Sequence, residues 1–314
     1  IVYADSTQGW LPVSDDAVVF DHTPPPTQKA IFGFGSTGSN VSITNLVNSS
    51  GVVGSDVTGV GTGRVSLAAT SYGDDKAIFG FGNHSSAVHS TTNLVSSSGV
   101  VATDTTGVGT VRSNVAAATY GLSGQALFGY GTAADAFLSM TNLVSNSGVV
   151  ASDVSGVGTG RSGLAATSYG SGRSIFGYGY TGSNVSVTNL VSNTGVVASD
   201  VSGVGTARRN LAAASYDSDK AIFGYGYVSD KVSMSNLVSN SGVVAADVTG
   251  VGTGRENLAA ASYGGDKAIF GYGYVSGVVS MSNLVNTSGV IASDVTGVGS
   301  ARQGLAAAGY SLSA

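Results

Sequence analysis

Short apolar runs recur along this chain, and Gly, Ser, Asn or Asp interrupts each of them after a few residues. Within 252–301, residues 258–263 form a small apolar run, and 268–275 form a β-branched and aromatic run with Gly at alternate positions. Residues 279–285 alternate apolar and polar side chains, and 290–295 form a fourth apolar run behind a turn. No segment keeps the helical period of about 3.6 residues. The pattern therefore predicts four short strands in an antiparallel meander.

This four-strand unit occurs six times. Variants of the phrase K-A-I-F-G-Y-G-Y begin at Lys29, Lys76, Gln125, Arg173, Lys220 and Lys267, in steps of 47, 49, 48, 47 and 47 residues. A period of about 20–50 residues indicates a repeat architecture. Six four-stranded antiparallel units of this length predict an all-β fold, a six-bladed β-propeller in which neighbouring blades bury both faces of each sheet. The alanine triplets suit the innermost strands, where large side chains do not fit.

The ends of the repeat region predict how the ring closes. The first unit begins at its second strand, 30–35, without a preceding Leu-Ala-Ala run, and 305–310 supply such a run at the end of the chain. We expect this C-terminal strand to complete the first blade, so that the propeller spans 29–314.

Residues 1–28 belong to no repeat. They contain all four Pro, and 24–26 form a Pro run that predicts an extended, semi-rigid spacer. We expect short strands at 1–3 and 17–20 around a turn containing Trp10. The segment is interpreted either as a linker packed on the propeller or as the remnant of an upstream attachment domain.

Composition limits the function classes. Only 10% of the 314 residues are charged, and the net charge of −5 argues against a nucleic-acid partner, which requires a basic surface. No run of about 18 apolar residues occurs, so we expect no membrane insertion. The absence of Cys excludes disulfides and thiolate metal sites.

Two charged positions recur in every unit. One is an Arg: Arg64, Arg112, Arg161, Arg208, Arg255 and Arg302. The other is an Asp eight residues earlier: Asp56, Asp104, Asp153, Asp200, Asp247 and Asp294. These charges either form a six-fold ligand site or satisfy one another and nearby loop amides. We expect the structural role, because a residue present in every unit serves the scaffold first, and we expect it also for the repeated Asn: Asn45, Asn93, Asn142, Asn189, Asn236 and Asn283.

Catalytic and metal chemistry have little support in the sequence. His84 and His89 lie in one loop, but no third ligand accompanies them, so we expect no metal site and no cofactor. Paired catalytic carboxylates are conceivable among the Asp residues, yet none stands out from the repeats. We therefore expect a protein that is not an enzyme, with a glycan-processing propeller enzyme as an alternative.

Two zones differ between the units: the loop after the second strand, and the pair of residues after each repeated Arg. In an up-and-down blade both connections emerge at the same end, so we expect them to form a binding face. Tyrosine rings and short polar side chains suit sugars, and a protein ligand is equally compatible. The candidate ligand-binding residues are Tyr180, Asn184, Tyr227, Asp230, Tyr274, His84, Arg209 and Glu256.

The order R-x-x-L-A-A-A-S-Y, A-I-F-G-Y-G-Y, V-S-x-x-N-L-V and G-V-V-A-S-D-V resembles the kelch repeat over residues 29–314. The kelch Gly doublet stands here as Gly-aromatic-Gly, and aliphatic residues occupy the usual Tyr and Trp positions. The resemblance implies a propeller, but it indicates function only weakly, since kelch propellers are binding platforms and occasionally enzymes.

A second resemblance is to repeats in virion and tail-fibre proteins of environmental bacteriophages. The phrases I-F-G-Y-G-Y, T-N-L-V-S-N-[ST]-G-V-V and D-V-[ST]-G-V-G-T-[AG]-R carry it, together with Y-A-D-S-T-Q-G-W at 3–10. It implies a virion protein that binds a host-surface glycan or protein. The alternatives are a structural module that packs against other virion proteins, and a secreted or cell-surface location; a homo-oligomer is compatible with each.

Overall fold

The structure is a computed structural model that describes residues 2–5, 9–11 and 26–314. These residues form 25 strands and no helix, and the strands are all short. In chain order the strands are β1 (Val2–Asp5), β2 (Gly9–Leu11), β3 (Lys29–Gly33), β4 (Thr44–Val47), β5 (Ala68–Tyr72), β6 (Lys76–Gly80), β7 (Asn83–His84), β8 (Ala87–Val88), β9 (Thr92–Val95), β10 (Ala116–Tyr120), β11 (Gln125–Gly129), β12 (Thr132–Ala133), β13 (Ala136–Phe137), β14 (Thr141–Val144), β15 (Val150–Val154), β16 (Ala165–Tyr169), β17 (Arg173–Gly177), β18 (Thr188–Val191), β19 (Ala212–Tyr216), β20 (Lys220–Gly224), β21 (Ser235–Val238), β22 (Ala259–Tyr263), β23 (Lys267–Tyr274), β24 (Val278–Val285) and β25 (Ala306–Tyr310).

Six antiparallel sheets of one design contain most of these strands. Each begins with an alanine-rich strand, continues with the strand that contains I-F-G or L-F-G, and adds the N-L-V strand on the far side. In strand order the sheets are β25-β3-β4, β5-β6-β9, β10-β11-β14-β15, β16-β17-β18, β19-β20-β21 and β22-β23-β24. The predicted all-β fold with a repeating antiparallel unit is confirmed.

The fourth predicted strand is regular only as β15. In the last unit, for example, the fourth segment makes two isolated bridges, Ile291 to Val285 and Val295 to Ser282. Between these bridges the side-chain amide of Asn283 donates to the carbonyl of Ala292 at 2.9 Å. The ladder bulges between the two bridges, so the segment is not a continuous strand. The equivalent bond from Asn142 to the carbonyl of Ala151 occurs beside the regular β15, so this bond does not account for the difference. The prediction of four regular strands in every unit is wrong at this point.

The hydrophobic core lies between neighbouring sheets. Phe32 of the first unit is buried with Tyr272 of the last, and their ring centroids are 5.2 Å apart. A Cβ on Gly271 would lie 2.7 Å from Cζ of Phe32, so glycine permits this close approach of the sheets. Gly273 has a different role, because its φ of +108° and the nearby carbonyl of Glu256 exclude a side chain there.

The ends of the chain meet in one sheet. β25 pairs with β3 in the register Ala306–Gly33 and Tyr310–Lys29, so the predicted pairing of the C-terminal strand with the first unit is confirmed. The amide of Gln28 also donates to the carbonyl of Ser311 at 2.8 Å. Residues more than 270 positions apart in the chain are therefore neighbours in one sheet.

Turn residues link the sheets at the end that carries the second-to-third-strand loops and the pairs after each repeated Arg, which we call the loop end. The second residue after each Arg has a left-handed backbone: Ser66, Asn114, Gly163, Asn210, Asn257 and Gly304. The amide of Asn114 donates to the carbonyl of Ser66, and the amide of Ser66 donates to the carbonyl of Gly304, both at 2.8 Å. The amide of Gly304, just before β25 of the first sheet, donates to the carbonyl of Asn257, just before β22 of the last sheet, also at 2.8 Å, so the last and first sheets are bonded as successive sheets are.

The opposite end, which we call the hairpin end, carries the turns between the first and second strands. The amide of Gly73 donates to the carbonyl of Gly124 at 2.8 Å, and Gly121 donates to Gly172 at 2.8 Å. Each of these bonds joins one unit to the next. Main-chain bonds therefore connect the sheets at both ends.

The N-terminal strands β1 and β2 form a hairpin in which Tyr3 pairs with Trp10. Trp10 therefore lies in a strand, and its predicted place in a turn is wrong. The strand predicted at 17–20 and the first two residues of the Pro run lie outside the described residues. Thr27 is buried against the body of the protein. In the described parts of the chain no helix is long and apolar enough to cross a membrane.

Candidate functional site

The six repeated arginines are fully buried, each with 0% exposure. The guanidinium of Arg255 lies 4.2 Å from the ring centroid of Tyr225. Its Nε donates to the carbonyl of Tyr272 at 2.9 Å, and its Nη2 donates to Oδ1 of Asn283 at 2.6 Å. Since Tyr225 belongs to one unit and Tyr272 and Asn283 to the next, the arginine fastens two sheets together.

The repeated aspartates stabilise the same contact between neighbouring sheets, which we call the joint. Asp294 accepts hydrogen bonds from the hydroxyl of Thr253 at 2.6 Å and from the amide of Asn283 at 2.9 Å, and it lies 3.9 Å from Nη1 of Arg255. Partial burial raises the pKa of Asp294, but the hydrogen bonds from Thr253 and Asn283 and the charge of Arg255 outweigh it and lower the pKa below its usual value. The carboxylate is therefore ionised and fully engaged.

The paired Asp is not the one eight residues before each Arg. Ion pairs within 4.0 Å join Arg64 to Asp104, Arg112 to Asp153, Arg208 to Asp247 and Arg255 to Asp294. The other two repeated carboxylates, Asp200 and Asp56, face Arg161 and Arg302. These charges contact one another and the nearby polar groups, but the partners differ from the predicted pairs, because the segment after each Asp carries the next Arg across to the neighbouring sheet. A ligand site made of these arginines is excluded, since none of them reaches the surface.

The two variable zones adjoin at the loop end, as predicted. Backbone bridges join Ser162 to Tyr180, Arg209 to Tyr227 and Glu256 to Tyr274. Each bridge places the residue after a repeated Arg beside the first residue of a second-to-third-strand loop. The sites predicted from sequence in the last three units are thus neighbours.

An alternating series of aromatic and cationic side chains crosses these units at the loop end. We call it the aromatic row, and it consists of Phe137, Tyr180, Arg209, Tyr227, Lys231 and Tyr274. The guanidinium of Arg209 lies 4.5 Å from the ring centroid of Tyr180 and 5.0 Å from that of Tyr227. The ammonium of Lys231 lies 5.9 Å from the Tyr227 centroid and 5.5 Å from the Tyr274 centroid. Two cations therefore each bridge a pair of tyrosines.

The phenol groups of the aromatic row and the guanidinium of Arg209 have no polar partner among residues 26–314. Among residues 26–314, no hydrogen bond or ion pair involves the phenol groups of Tyr180, Tyr227 and Tyr274 or the guanidinium of Arg209. By contrast, the hydroxyl of the buried Tyr225 donates to the carbonyl of Val251 at 3.3 Å, and burial raises the pKa of Tyr225 to about 12. The row, unlike the scaffold tyrosines, keeps its hydrogen-bonding capacity for a ligand.

Of the other predicted ligand-binding residues, three lie beside the aromatic row and one lies away from it. Asn184 donates to the carbonyls of Tyr227 at 3.2 Å and Val228 at 2.9 Å, so it positions the next loop. The side chain of Asp230 is 87% exposed and lies 4.0 Å from Lys231. Glu256 accepts a hydrogen bond from the Asn210 amide at 2.9 Å.

His84 lies apart from the aromatic row, in the β7–β8 hairpin. Its Nδ1 is 2.7 Å from the carbonyl oxygen of Gly63, and its ring centroid is 6.2 Å from that of His89. In the described part of the chain, no three His, Asp or Glu side chains are close enough to hold a metal ion. The structure thus brings six of the eight predicted residues near one another around the row, places Glu256 at its edge, and leaves His84 in the second unit.

Sequence reasoning missed two members of the row. Phe137 stands just after the variable loop of its unit, and its ring centroid lies 5.9 Å from that of Tyr180. Lys231 closes the variable loop of the fifth unit. The signal that could have identified both is their absence from equivalent positions in the other units, at the edges of loops that were already candidates.

Cavities where the six alanine-rich strands converge are small. A cavity of about 60 Å³ is lined by residues of all six strands, such as Ala117, Ala166 and Ala260. A second, of about 130 Å³, opens at the hairpin end, and a third, of about 70 Å³, opens at the loop end beside Asn210. Sites for drug-sized ligands occupy roughly 300–1,000 Å³. These three cavities are therefore too small for such a ligand, whereas two open clefts of about 410 Å³, one beside Val52 and Tyr310 and one beside Val279 and Met281, fall within that range.

No protein-family model matches the chain, and no curated protein matches it significantly. The resemblances to kelch repeats and to phage virion repeats therefore rest on the motifs themselves and stay predictions.

Proposed function

We propose that the six sheets are the blades of a closed six-bladed β-propeller, and that this propeller is a non-enzymatic recognition protein. The pairing of β25 with β3 supports closure. So does the main-chain bond from the amide of Gly304 to the carbonyl of Asn257, which joins the first and last sheets as neighbouring sheets are joined. The alanine-rich strands then line the centre, in agreement with the small cavity that all six of them share.

Recognition takes place at the aromatic row, and one observation carries this proposal. A side chain that served the scaffold would recur in all six units, as the buried arginines do. The tyrosines of the row occupy equivalent positions only in the last three units, where the first three have Ser36, Asn83 and Thr132. Their hydroxyls have no hydrogen-bond partner within 26–314, so these tyrosines contribute no hydrogen bond to the scaffold and remain available to a ligand.

The chemistry of the row suits a glycan. Tyrosine faces pack against the C–H faces of sugar rings, and phenol and cationic groups donate to sugar oxygens. Binding on a rigid scaffold requires no covalent step, and the six repeated carboxylates are occupied by structural hydrogen bonds. The motif resemblance favours a virion protein with a host-surface glycan as its ligand; a host protein is the second ligand class.

The test is binding of the purified chain to an array of bacterial surface glycans. We expect wild type to bind, and the triple variant Tyr180→Ala, Tyr227→Ala and Tyr274→Ala to lose at least ten-fold in affinity. The matched control changes the equivalent residues of the first three units, Ser36→Ala, Asn83→Ala and Thr132→Ala, and keeps wild-type binding. Equal binding by both triple variants would reject the row as the recognition site.

A structural module that packs against other proteins is the second candidate, and exposed valines favour it. The first valine of each G-V-V or G-V-I phrase is 58–66% exposed: Val52, Val100, Val149, Val196, Val243 and Val290. These residues do not vary between units, although the exposed loops do.

Sedimentation velocity tests the packing function. If these valines form an interface between copies of the chain, wild type self-associates as its concentration rises, and Val196→Lys with Val243→Lys remains monomeric. A monomeric wild type that still binds glycans would discount the packing function.

A further inference from the structure

The position that follows each repeated Arg holds a different type of residue in most units. In unit order the residues are Val65, Ser113, Ser162, Arg209, Glu256 and Gln303. Arg209 is the one cation in this series. It is therefore a property of one place at the loop end and not of the repeated scaffold.

The other cations of residues 26–314 have structural partners or lie elsewhere. Six arginines are buried in the joints between sheets, and Arg173 donates to the carbonyl of Asn240 at 3.1 Å. Lysines at the start of the second strands stand at the hairpin end, where Lys220 lies 2.7 Å from Asp217 and Lys267 lies 2.8 Å from Asp266. Within this part of the chain, only Arg209 and Lys231 place positive charge at the loop end.

Arg209 is positioned without an acidic partner. Its guanidinium is flanked by the rings of Tyr180 and Tyr227 at 4.5 and 5.0 Å, and these contacts restrict its position. No acceptor within 26–314 takes a hydrogen bond from its N–H groups. A planar guanidinium presents a fork of donors that matches the two oxygens of a carboxylate.

We propose that Arg209 is a carboxylate-binding subsite of the aromatic row and that the ligand is an acidic glycan. This inference rests on the proposed function and adds the class of ligand. The flanking tyrosine faces and free phenol groups favour a sugar over an acidic peptide, because they offer stacking surfaces on both sides of the charge. Lys231 repeats the arrangement between Tyr227 and Tyr274, so the row presents two successive cations to a chain of acidic sugars. Asp230 partly neutralises Lys231, and Arg209 is therefore the stronger subsite.

Isothermal titration calorimetry with matched probes tests the proposal. The probes are oligogalacturonate and oligosialate, each as the free acid and as the methyl ester, and hexaglutamate as an acidic peptide. We expect the wild-type chain to bind at least one free acid about ten-fold or more tightly than its ester, and to lose that preference at high salt. Arg209→Gln should bind acid and ester equally, and Arg209→Lys should keep part of the preference. The control Arg173→Gln should behave as wild type.

Three results would overturn the proposal, and they differ from failure of the proposed function. The proposal fails if wild type does not distinguish acid from ester, if hexaglutamate binds more tightly than every saccharide, or if Arg209→Gln keeps the full preference for the acid. If wild type binds neutral glycans on the array and the tyrosine triple variant does not, the recognition function stands even when the acid preference fails. If wild type binds no glycan, acidic or neutral, both fail.

Discussion

Arg302 donates a hydrogen bond from Nε to the carbonyl oxygen of Phe34 at 2.9 Å, although 268 positions separate the two residues in the chain. The same bond joins Arg255 to Tyr272 at 2.9 Å, across only 17 positions. The guanidinium of Arg302 also lies 4.2 Å from the ring centroid of Tyr272, as that of Arg255 does from Tyr225. The joint between the last and first units therefore has the construction of the joints between successive units.

Replacing a joint arginine should cost as much at the ends of the chain as in the middle. Arg255→Met and Arg302→Met each leave buried acceptors without their donor, and we expect each to lower the free energy of unfolding by about 3 kcal/mol or more. Denaturant unfolding measures the loss. The control Arg173→Met removes a cation at the hairpin end and should cost below about 1 kcal/mol. A mild Arg302→Met beside a severe Arg255→Met would contradict a closed ring.

Because the sheets pack closely, we expect alanine to destabilise the protein at one glycine of the last unit and to be tolerated at another. A Cβ at Gly271 would lie 2.7 Å from Phe32 Cζ, whereas a Cβ at Gly277 would have no atom within 4 Å. We expect Gly271→Ala to destabilise by about 1–3 kcal/mol through overpacking. Gly277→Ala should be neutral or stabilise by up to about 1 kcal/mol, because alanine restricts the unfolded chain. Thermal unfolding measures the melting temperature of each variant. Equal melting temperatures would be inconsistent with this packing.

Much of the fold could be predicted from the sequence because each unit repeats its local signals. The I-F-G strands, the alanine-rich strands and the pairing of 305–310 with the first unit all follow from the pattern. The irregular fourth strand could not be predicted, since its alternation of residues does not show that it meets the third strand through only two isolated bridges, such as Ile291 to Val285 and Val295 to Ser282. The partner of each Asp could not be predicted either, because a spacing of eight residues does not show which sheet the intervening loop reaches.

The candidate site was predictable where it departs from the repeat. Tyr180, Tyr227 and Tyr274 stand out because Ser36, Asn83 and Thr132 occupy the equivalent positions. The cations between the tyrosines were harder to assign, since the contact of Arg209 with Tyr180 joins residues on different segments of neighbouring units. Such contacts depend on the distance between sheets, which the sequence of one unit does not contain.

Removal of β25 should destabilise the whole protein. A chain that ends at Gly304 leaves β3 paired with β4 alone and exposes Ala30 and Ile31, which are otherwise fully buried. Domains have a total stability of about 5–15 kcal/mol, and we expect the truncated chain to lose most of it. Circular dichroism during heating measures the change, and a chain ending at Ser311, which lacks only exposed residues, is the control. Equal melting of the two truncated chains would contradict the role of β25 in closure.

Stability should fall in acid because the repeated carboxylates are stabilised in the charged form. The pKa of Asp294 is lowered from the model-peptide value of 3.8: burial raises it, and the hydrogen bonds from Thr253 and Asn283 and the charge of Arg255 lower it by more. A carboxyl group whose pKa is lower in the folded protein than in the unfolded chain stabilises the fold at pH values above its pKa in the unfolded chain. That stabilisation is lost as the pH falls through its pKa in the folded protein. We therefore expect constant stability from pH 7 to about 5 and a decline below about pH 4, summed over six similar groups. Urea unfolding at several pH values measures this decline in stability.

Asp294→Asn should be less stable than wild type at pH 7, and the difference should shrink in acid. The exposed control Asp230→Asn should follow wild type at every pH. A difference between Asp294→Asn and wild type that stays the same at every pH would show that the charge of this carboxylate does not stabilise the joint.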